Sequence, residues 1–505
     1  VELYPTLTSR RTDLRSSFPS GPLESGDVKV EPGLDIRWGV TSNLSLNGTA
    51  NPDFSQVEAD VAQLDVNTRF ALFFPERRPF FLEGADFFAT PIQAVFTRTV
   101  ADPTGGLKLS GKAGPAGIGV FSAHDQVTNL IFPANQATAD TSLTLNNLST
   151  AVRYRHDLSR SSYVGVLYTG RESSQDYSNR VGGADAFFQI GESHSLRLQG
   201  LGSVTEYPVG LAQVFAQPLG SFTGAALRGT YQYATRDWFA SVDLRDLSPD
   251  FRADAGFEPR VDLREANVTL TRSIFGKQGQ PFTQLQFGAV GTVDTDHDWQ
   301  LTDFVAGLNA FWLGPSQTSV LLEGFQNRQR LSGIDHDLTN GRVTIQSQPT
   351  GSARLALVAR FGEELDVANN RTAKNLALSP SARLYLGRRL NLDLQHDFQR
   401  LRTPEGERIF TANLLQTRLV YHLNLRTFVR AIVQYEHLDR NPAAYGFPVE
   451  QTTSSLFTQF LISYKLNPQT VAFVGYSDSH FGNDTNELTR ADRTFFVKLG
   501  YALRP

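Results

Sequence analysis

The chain of 505 residues contains no cysteine and no methionine. Without thiols there is no disulfide framework, thiolate nucleophile or Cys-ligated zinc, and without thioethers no Met ligand. A thiol-free chain suits export into an oxidising compartment, where a stray cysteine would mispair. The missing initiator leads us to expect a processed or partial chain whose signal peptide lies upstream. Long hydrophobic runs are missing too: no window approaches the roughly 18 to 20 apolar residues of a membrane helix. A membrane could then be crossed only by a closed barrel, the other arrangement that satisfies every backbone polar group in lipid. Neither sign of charge dominates. Net charge is −4 with a pI near 6.2, and the basic residues are scattered, which excludes nucleic acid as a partner.

What the chain does have is glycine and aromatic residues. With 41 Gly, 36 Phe, 15 Tyr, 40% hydrophobic and 19% charged residues, it is too apolar for disorder and too rich in Gly and aromatics for a helical protein. The pattern along it has period two. Leu390, Leu392, Leu394 and Phe398 alternate with Asn391, Asp393, Gln395 and Asp397, which places one kind on each face of a strand. Leu355, Leu357, Ala359 and Phe361 interleave with Arg354, Ala356, Val358 and Arg360 in the same way, and Phe495, Val497, Leu499, Tyr501 and Leu503 share a face at the end. A multi-sandwich soluble protein would alternate as well. Two features argue against it: runs of about 10 to 14 residues, enough to cross a bilayer at a tilt, and connections that alternate in length. Gly387 to Arg389, Thr350 and Gly351, and Gly191 and Glu192 are tight turns, whereas Arg440 to Thr452, His480 to Arg490, Leu247 to Pro259 and Thr205 to Gly220 are long.

Short periplasmic turns and long extracellular loops are the signature of bacterial outer-membrane barrels, with both chain ends periplasmic. The predicted strands begin with 33–41, 43–50, 92–100 and 105–112 and end with 453–465, 469–479 and 491–503. The expected fold is therefore all-β: one large closed antiparallel transmembrane β-barrel of about 24 strands (22–26) with an internal or periplasmic-mouth plug segment. In domain terms, 1–32 is an N-terminal periplasmic segment and 33–505 the barrel, with 51–91 inserted as the plug. On this count the insertion starts and ends on the periplasmic side.

That insertion carries a dense cluster, NPDFSQVEADVAQLDVNTRFALFFPERRPFFLEGADFF from Asn51 to Phe88. It resembles the signature of DUF5916, a family of bacterial outer-membrane proteins whose members usually carry a carbohydrate-binding family 9-like domain before the barrel. DLSPDFRADAGFEPR, Asp246 to Arg260, is similar to a second segment of that family and falls in a predicted extracellular loop. The resemblance implies that the whole chain is the family's C-terminal barrel region. Some members are described as hydrolases, but neither a Gly-x-Ser-x-Gly elbow nor a His-Glu-x-x-His helix occurs here. No catalytic residue is assigned.

Candidate plug or gating residues are Asp53, Glu58, Glu76, Arg77, Arg78, Phe80, Phe81 and Glu83. Three readings stand: a luminal plug whose charges pair with the barrel wall, a docking site for a periplasmic partner, or a device that orders the first hairpins. A lumen of about 22 strands needs filling if the membrane is not to leak. Candidate lumen-lining residues are Arg153, Arg155, Asp243, Arg245, Arg354, Arg360, Asp393, Asp397, Arg418, Arg430, Glu436 and Lys498, of both signs. Asp294, Asp296 and Asp298 have the alternate spacing of hard oxygen ligands in a short extracellular turn, a candidate calcium site, against the plainer reading of a solvated acidic loop. No other cofactor is expected. The leading function is a plugged or gated channel for transport of a bulky solute. The alternative is a carbohydrate-associated envelope protein or surface hydrolase anchored by the barrel. Expected partners are outer-membrane lipid, lipopolysaccharide and a periplasmic or surface protein.

Overall fold

The computed structural model describes residues 1–54, 59–467 and 470–503. Its first strands are β1 Glu2–Arg15, β2 Leu23–Glu24, β3 Val28–Thr41, β4 Leu44–Ala50, β5 Pro103–Ala113, β6 Ala116–Asp125, β7 Thr128–Pro133 and β8 Thr138–Leu143. Then come β9 Asn147–Asp157, β10 Tyr163–Ser173, β11 Tyr177–Ile190, β12 His194–Glu206, β13 Phe222–Ala234, β14 Trp238–Leu247, β15 Leu263–Phe275 and β16 Gln284–Thr295. The series continues with β17 Leu301–Leu313, β18 Ser319–Leu331, β19 Ile334–Thr350, β20 Ala353–Asp366, β21 Arg371–Leu386 and β22 Leu390–Arg402. It ends with β23 Arg408–His422, β24 Thr427–Arg440, β25 Thr452–Lys465, β26 Val471–Asn483 and β27 Asn486–Gly500. All but β2, β7 and β8 form one closed antiparallel barrel of 24 strands. Closure is made by β1, which pairs with β27 from Thr6↔Gly500 to Leu14↔Asp492 and with β3 on its other edge.

The alternation read from the sequence becomes an inside-out distribution of polarity. Val30, Leu34, Ile36 and Trp38 of β3, Val166 and Tyr168 of β10, Leu244 of β14, Leu308 of β17, Ile462 of β25 and Val497 and Leu499 of β27 are all exposed on the outer face. In water so continuous an apolar belt would drive aggregation, whereas against lipid it is the favourable surface. Inward positions between them are polar: Lys29, Glu31, Asp35 and Arg37 on β3, and Asn391, Asp393 and Gln395 on β22. The protein is a transmembrane β-barrel of the outer-membrane type.

One strand was mistaken and another missed, so the expected number holds by compensation. Residues 92–100 are not in the wall. They lie inside the barrel, where Ile92 and Ala94 are buried against the inner faces of several strands. Conversely, the N-terminal segment 1–32, expected to lie outside the barrel, contributes to its wall, because Glu2–Arg15 is the strand that closes the barrel. Its outward positions include Ser9, Arg11 and Asp13, so it lacked an apolar face. Those residues lie toward the end remote from the termini, and Asp13 is held there by Arg11 at 2.9 Å and Arg493 at 2.7 Å.

The exchange reverses the side of everything before residue 105. β1, β3 and β4 precede the insertion, so 51–102 leaves and re-enters the wall at the mouth opposite the chain ends, not the same mouth. We call these the loop mouth and the chain-end mouth. Turns 42–43, 114–115, 351–352 and 387–389 lie at the chain-end mouth, and the connections 126–146, 207–221, 248–262 and 441–451 at the loop mouth. His480–Arg490, expected as a long loop, is mostly ladder, because β26 and β27 run on to a turn at 484–485.

Candidate functional site

The insertion enters the lumen from the loop mouth and is built into one side of it. At its start, Thr8 Oγ1 donates to the Asp53 carboxylate at 2.5 Å and Lys498 Nζ donates to the Asp53 carbonyl at 2.6 Å, which fixes it to the closure seam. Phe81, Phe88 and Val100 are buried against Phe121 and Ala123 of β6 and Ala151 of β9, with Phe54, Phe80 and Phe87 packed around them. Pro79 begins a single helical turn, Pro79–Leu82, that aims Phe81 into this cluster and leaves Phe80 under Lys108, whose ammonium lies 4.9 Å above the ring. Glu83 reaches Arg37 of β3 at 2.8 Å.

Charges flanking these rings pair mainly within the insertion rather than with the wall. Arg78 donates to both Glu76 oxygens, at 2.8 and 2.7 Å, and to the Thr97 and Val100 carbonyls, at 2.7 and 2.6 Å. Its guanidinium stands 4.1 Å from the Phe81 ring centroid. Burial raises the Glu76 carboxyl, but the bonds from Arg78 and Thr97 more than offset it, leaving Glu76 below its ordinary 4.5. Arg77 is more open. It lies 3.5 Å from Asp60, which Arg98 also contacts.

The second signature segment, expected as an extracellular loop, does connect β14 to β15 at the loop mouth, but it folds inward onto the first. Phe96 N donates to the Ala255 carbonyl at 2.8 Å and Phe257 N to the Gln93 carbonyl at 2.9 Å. The rings of Phe73, Phe96 and Phe257 meet at 5.1 to 5.3 Å. Below them Ile92, Ala94, Phe251 and Ala253 share a core with Leu167, Val181, Leu201, Ala226, Leu247 and Leu263 from the inner wall. At its centre Asp254 accepts from Tyr177 and Tyr207, at 2.9 and 3.0 Å, while fully buried Arg171 donates to the Asp254 and Thr99 carbonyls at 3.2 and 3.0 Å. Burial pushes the Asp254 carboxyl up, with Tyr177 and Arg171 opposing. Sequence reasoning missed this node; Arg171 and Tyr177 are merely alternating strand residues until the loop covers them.

On the other side the lumen is crossed only lightly. Among the described residues, 59–65 carry no helix or strand. The Asp60 carbonyl accepts from Gln434 of β24 at 2.8 Å, and Ala62 N donates to Gln416 of β23 at 2.8 Å. Asn67 donates to the Leu365 carbonyl and accepts from Val367 N, both at 2.8 Å. Leu64 and Val66 rest against Leu401, Phe410, Leu438 and their neighbours.

Two cavities meet at this stretch. At the chain-end mouth a polar chamber of about 860 Å³ is walled by β19 to β23, with Val61 and Arg77 at its inner end. At the loop mouth a pocket of about 430 Å³ is bordered by Asp65, Val66 and Asn67 on one side and by Asp366, Arg440, Tyr445 and Phe447 on the other.

The remaining predicted residues divide between these regions. Glu58 lies outside the described residues. On the filled side Arg153 pairs with Asp185 at 2.6 Å, Arg155 with Asp157 at 3.1 Å, Asp243 with Arg228 at 3.2 Å and Arg245 with Glu265 at 3.3 Å. Lys498 belongs to the seam described above. Arg354, Asp393 and Arg418 line the chamber. Arg360 lies farther up β20, Asp397 accepts from Gln395 at 2.8 Å, Arg430 donates to Gln459 at 3.1 Å, and Glu436 lies near the loop mouth. The three aspartates of the candidate calcium turn are not brought together. Asp294 points to Arg260 at 2.9 Å, Asp296 accepts from Gln300 N at 2.8 Å within the turn, and no metal-holding group of acidic or histidine side chains occurs among the described residues.

The insertion, with the strands that bracket it, is what a known family describes. Residues 20–110 match the model for "Domain of unknown function (DUF5916)". Over that stretch the chain is similar to DUF5916. The matched stretch runs from the connection after β1 through β2, β3, β4 and the insertion into β5, and so takes in the insertion's share of the packed core and the light crossing. No curated protein sequence matches the chain. Among solved structures it is similar to the siderophore receptor PirA from Pseudomonas aeruginosa, with 9% identity and a TM-score of 0.49 over 99% of this chain and 80% of that one. It is also similar to the FrpB iron transporter from Neisseria meningitidis, with 11% identity and a TM-score of 0.46 over 100% and 82%. For the copper transporter OprC the values are 9% and 0.40 over 79% and 77%. At such identities the likeness extends to neither solute nor mechanism.

Proposed function

We propose that this DUF5916 barrel is a gated outer-membrane channel for a bulky solute, with the stretch around 59–67 as its moving part. The short turns at the chain-end mouth make that mouth periplasmic, and the loop mouth then faces outward, with lipid and lipopolysaccharide against the apolar belt. One observation carries the reading: the same unladdered stretch borders a pocket at the outer mouth and a chamber at the inner one. Its wall hydrogen bonds contribute about 1 kcal/mol each, and its apolar contacts involve only partly buried side chains. Displacing it therefore costs on the order of a few kcal/mol, an amount that preferential binding of a solute to the open state can supply. The stretch from Phe80 to Val100 is bound by extensive buried cores and stays in place.

The test is conductance in planar bilayers. Ala50 and Gly105 are cross-strand partners, so a short turn can replace residues 52–102 without straining the wall. This barrel should show large, steady conductance where the full chain is closed. Asn67→Ala in the full chain, which removes the bonds to Leu365 at the end of β20 and to Val367 just beyond it, should give brief openings. A correctly folded deletion barrel that conducts no more than the full chain would overturn the proposal.

A further inference from the structure

The inner chamber has a chemical bias. Four adjacent strands place Arg354, Arg383, Asp393 and Arg418 in one row, because Arg354 pairs with Arg383, Arg383 with Asp393, and Asp393 with Arg418 across successive ladders. Side chains at paired positions share a face, and like charges directly opposite are destabilising. On the filled side of the lumen Arg228 and Arg245 also stand opposite each other, but each has a carboxylate of its own, Asp243 and Glu265, and Arg153 has Asp185. Here Arg354 faces a second arginine. Asp393 is shared, contacting Arg383 and also Arg418 at 3.0 Å, while half of the Arg383 side chain stays open to the chamber. Arg354 has no hydrogen-bond or ion-pair partner among the described residues. Around the row the lining supplies neutral hydrogen-bonding groups, including Gln346, Gln348, Ser381 and Gln395, beside apolar Val61 and Leu355 and a further cation, Arg77, at the inner end.

We infer that the chamber binds an oxyanion-bearing solute, a carboxylate or a phosphate, held between Arg354 and Arg383 with the amide side chains taking its remaining polar groups. A guanidinium presents a planar fork that matches the two oxygens of either anion. An anion between the two arginines removes the repulsion that the ladder otherwise imposes. The chamber, about 860 Å³, is of the size that encloses a small-molecule ligand. This deepens the channel reading by naming the solute's class, yet the binding itself does not depend on gating.

The experiment is titration calorimetry on the full, closed chain in detergent, with citrate and inorganic phosphate as probes and a neutral trisaccharide as the comparison. Citrate, phosphate or both should bind saturably and more weakly as salt rises, and the trisaccharide should give no heat. Whichever anion binds more tightly identifies the group. The double variant Arg354→Gln, Arg383→Gln should weaken anion binding tenfold or more. Arg328→Gln, in an exposed pair on β18 toward the loop mouth, should leave it unchanged. Should the double variant misfold, judged by its heat-modifiable mobility, Arg354→Gln alone should still weaken binding and Arg354→Lys should restore part of it. Absence of saturable binding of either anion, or binding indifferent to both arginines, overturns the inference. Because this is read on the closed barrel, a channel that opens but binds no anion sinks only the solute class. Anion binding by a barrel that never conducts sinks only the channel.

Discussion

Arg78→Ala tests what holds the packed part of the insertion. The side chain is 9% exposed and its Glu76 partner 11%, so the pair is a buried one. Removing the guanidinium strands a desolvated carboxylate and leaves the Thr97 and Val100 carbonyls without their donor. Breaking a buried pair from one side costs about 3 to 5 kcal/mol. The cost falls on the local ordering of residues 73–102 and not on the barrel, whose ladders do not involve Arg78. At about 1.4 kcal/mol per factor of ten, the opened population of the insertion should rise by roughly two to three and a half orders of magnitude. Arg77→Ala should cost under about 1 kcal/mol, because its pair with Asp60 is longer, at 3.5 Å, and both side chains are about a quarter exposed. Hydrogen exchange of the Phe80–Phe88 amides reads this directly, with heat-modifiable mobility showing that the wall is intact. Glu76→Gln combined with Arg78→Met should recover part of the loss, since removing both partners leaves no buried charge. Unchanged exchange in Arg78→Ala, or an equal effect from Arg77→Ala, would refute the argument.

The remaining predictions concern pH and the lipid face. Glu76 is held below its ordinary 4.5, so its contribution is complete at neutral pH and is lost only as pH falls below about 4.5 through that lowered value. Burial pushes Asp254 and Glu258 upward, so their charged forms cost stability at neutral pH and acidification relieves that cost. Conductance of the full chain should therefore stay flat from pH 7.5 to 5, and opening already at pH 6 would contradict both assignments. Leu499→Lys, at an exposed outward position on β27, should cost on the order of 2 to 4 kcal/mol in folding assays in lipid if it lies near the bilayer midplane. Lys498→Gln, one residue away but inward, should act through the Asp53 contact instead, and equal tolerance at the two positions would count against the assigned faces.

Whether a strand shows in the sequence depends on what its outer face meets. From β9 onward every predicted strand lies in the wall, because lipid outside and polar side chains inside impose period two on the residues themselves. β1 escaped notice because Ser9, Arg11 and Asp13 occupy its outward face. Residues 92–100 misled because Ile92, Ala94 and Phe96 alternate just as a wall strand does. The apolar partners of Ile92 and Ala94, however, are the inner-wall and loop residues Leu201, Leu247 and Phe251, and those of Phe96 are Phe73 and Phe257, rather than lipid. Those two errors turned the insertion to the wrong mouth, since a strand gained or lost reverses the side of what lies beyond it. The sequence alone determined the barrel and that Asp53 to Glu83 is a cluster apart, whereas the strand number came out right because two errors cancelled. Only the tertiary structure decided that Arg78 chooses Glu76 over the wall, that the two signature segments pack on each other, and that Arg354 stands opposite Arg383. Alternation specifies a side chain's face, but its neighbours across the ladder depend on register and on how an unladdered chain folds back, and local patterning encodes neither.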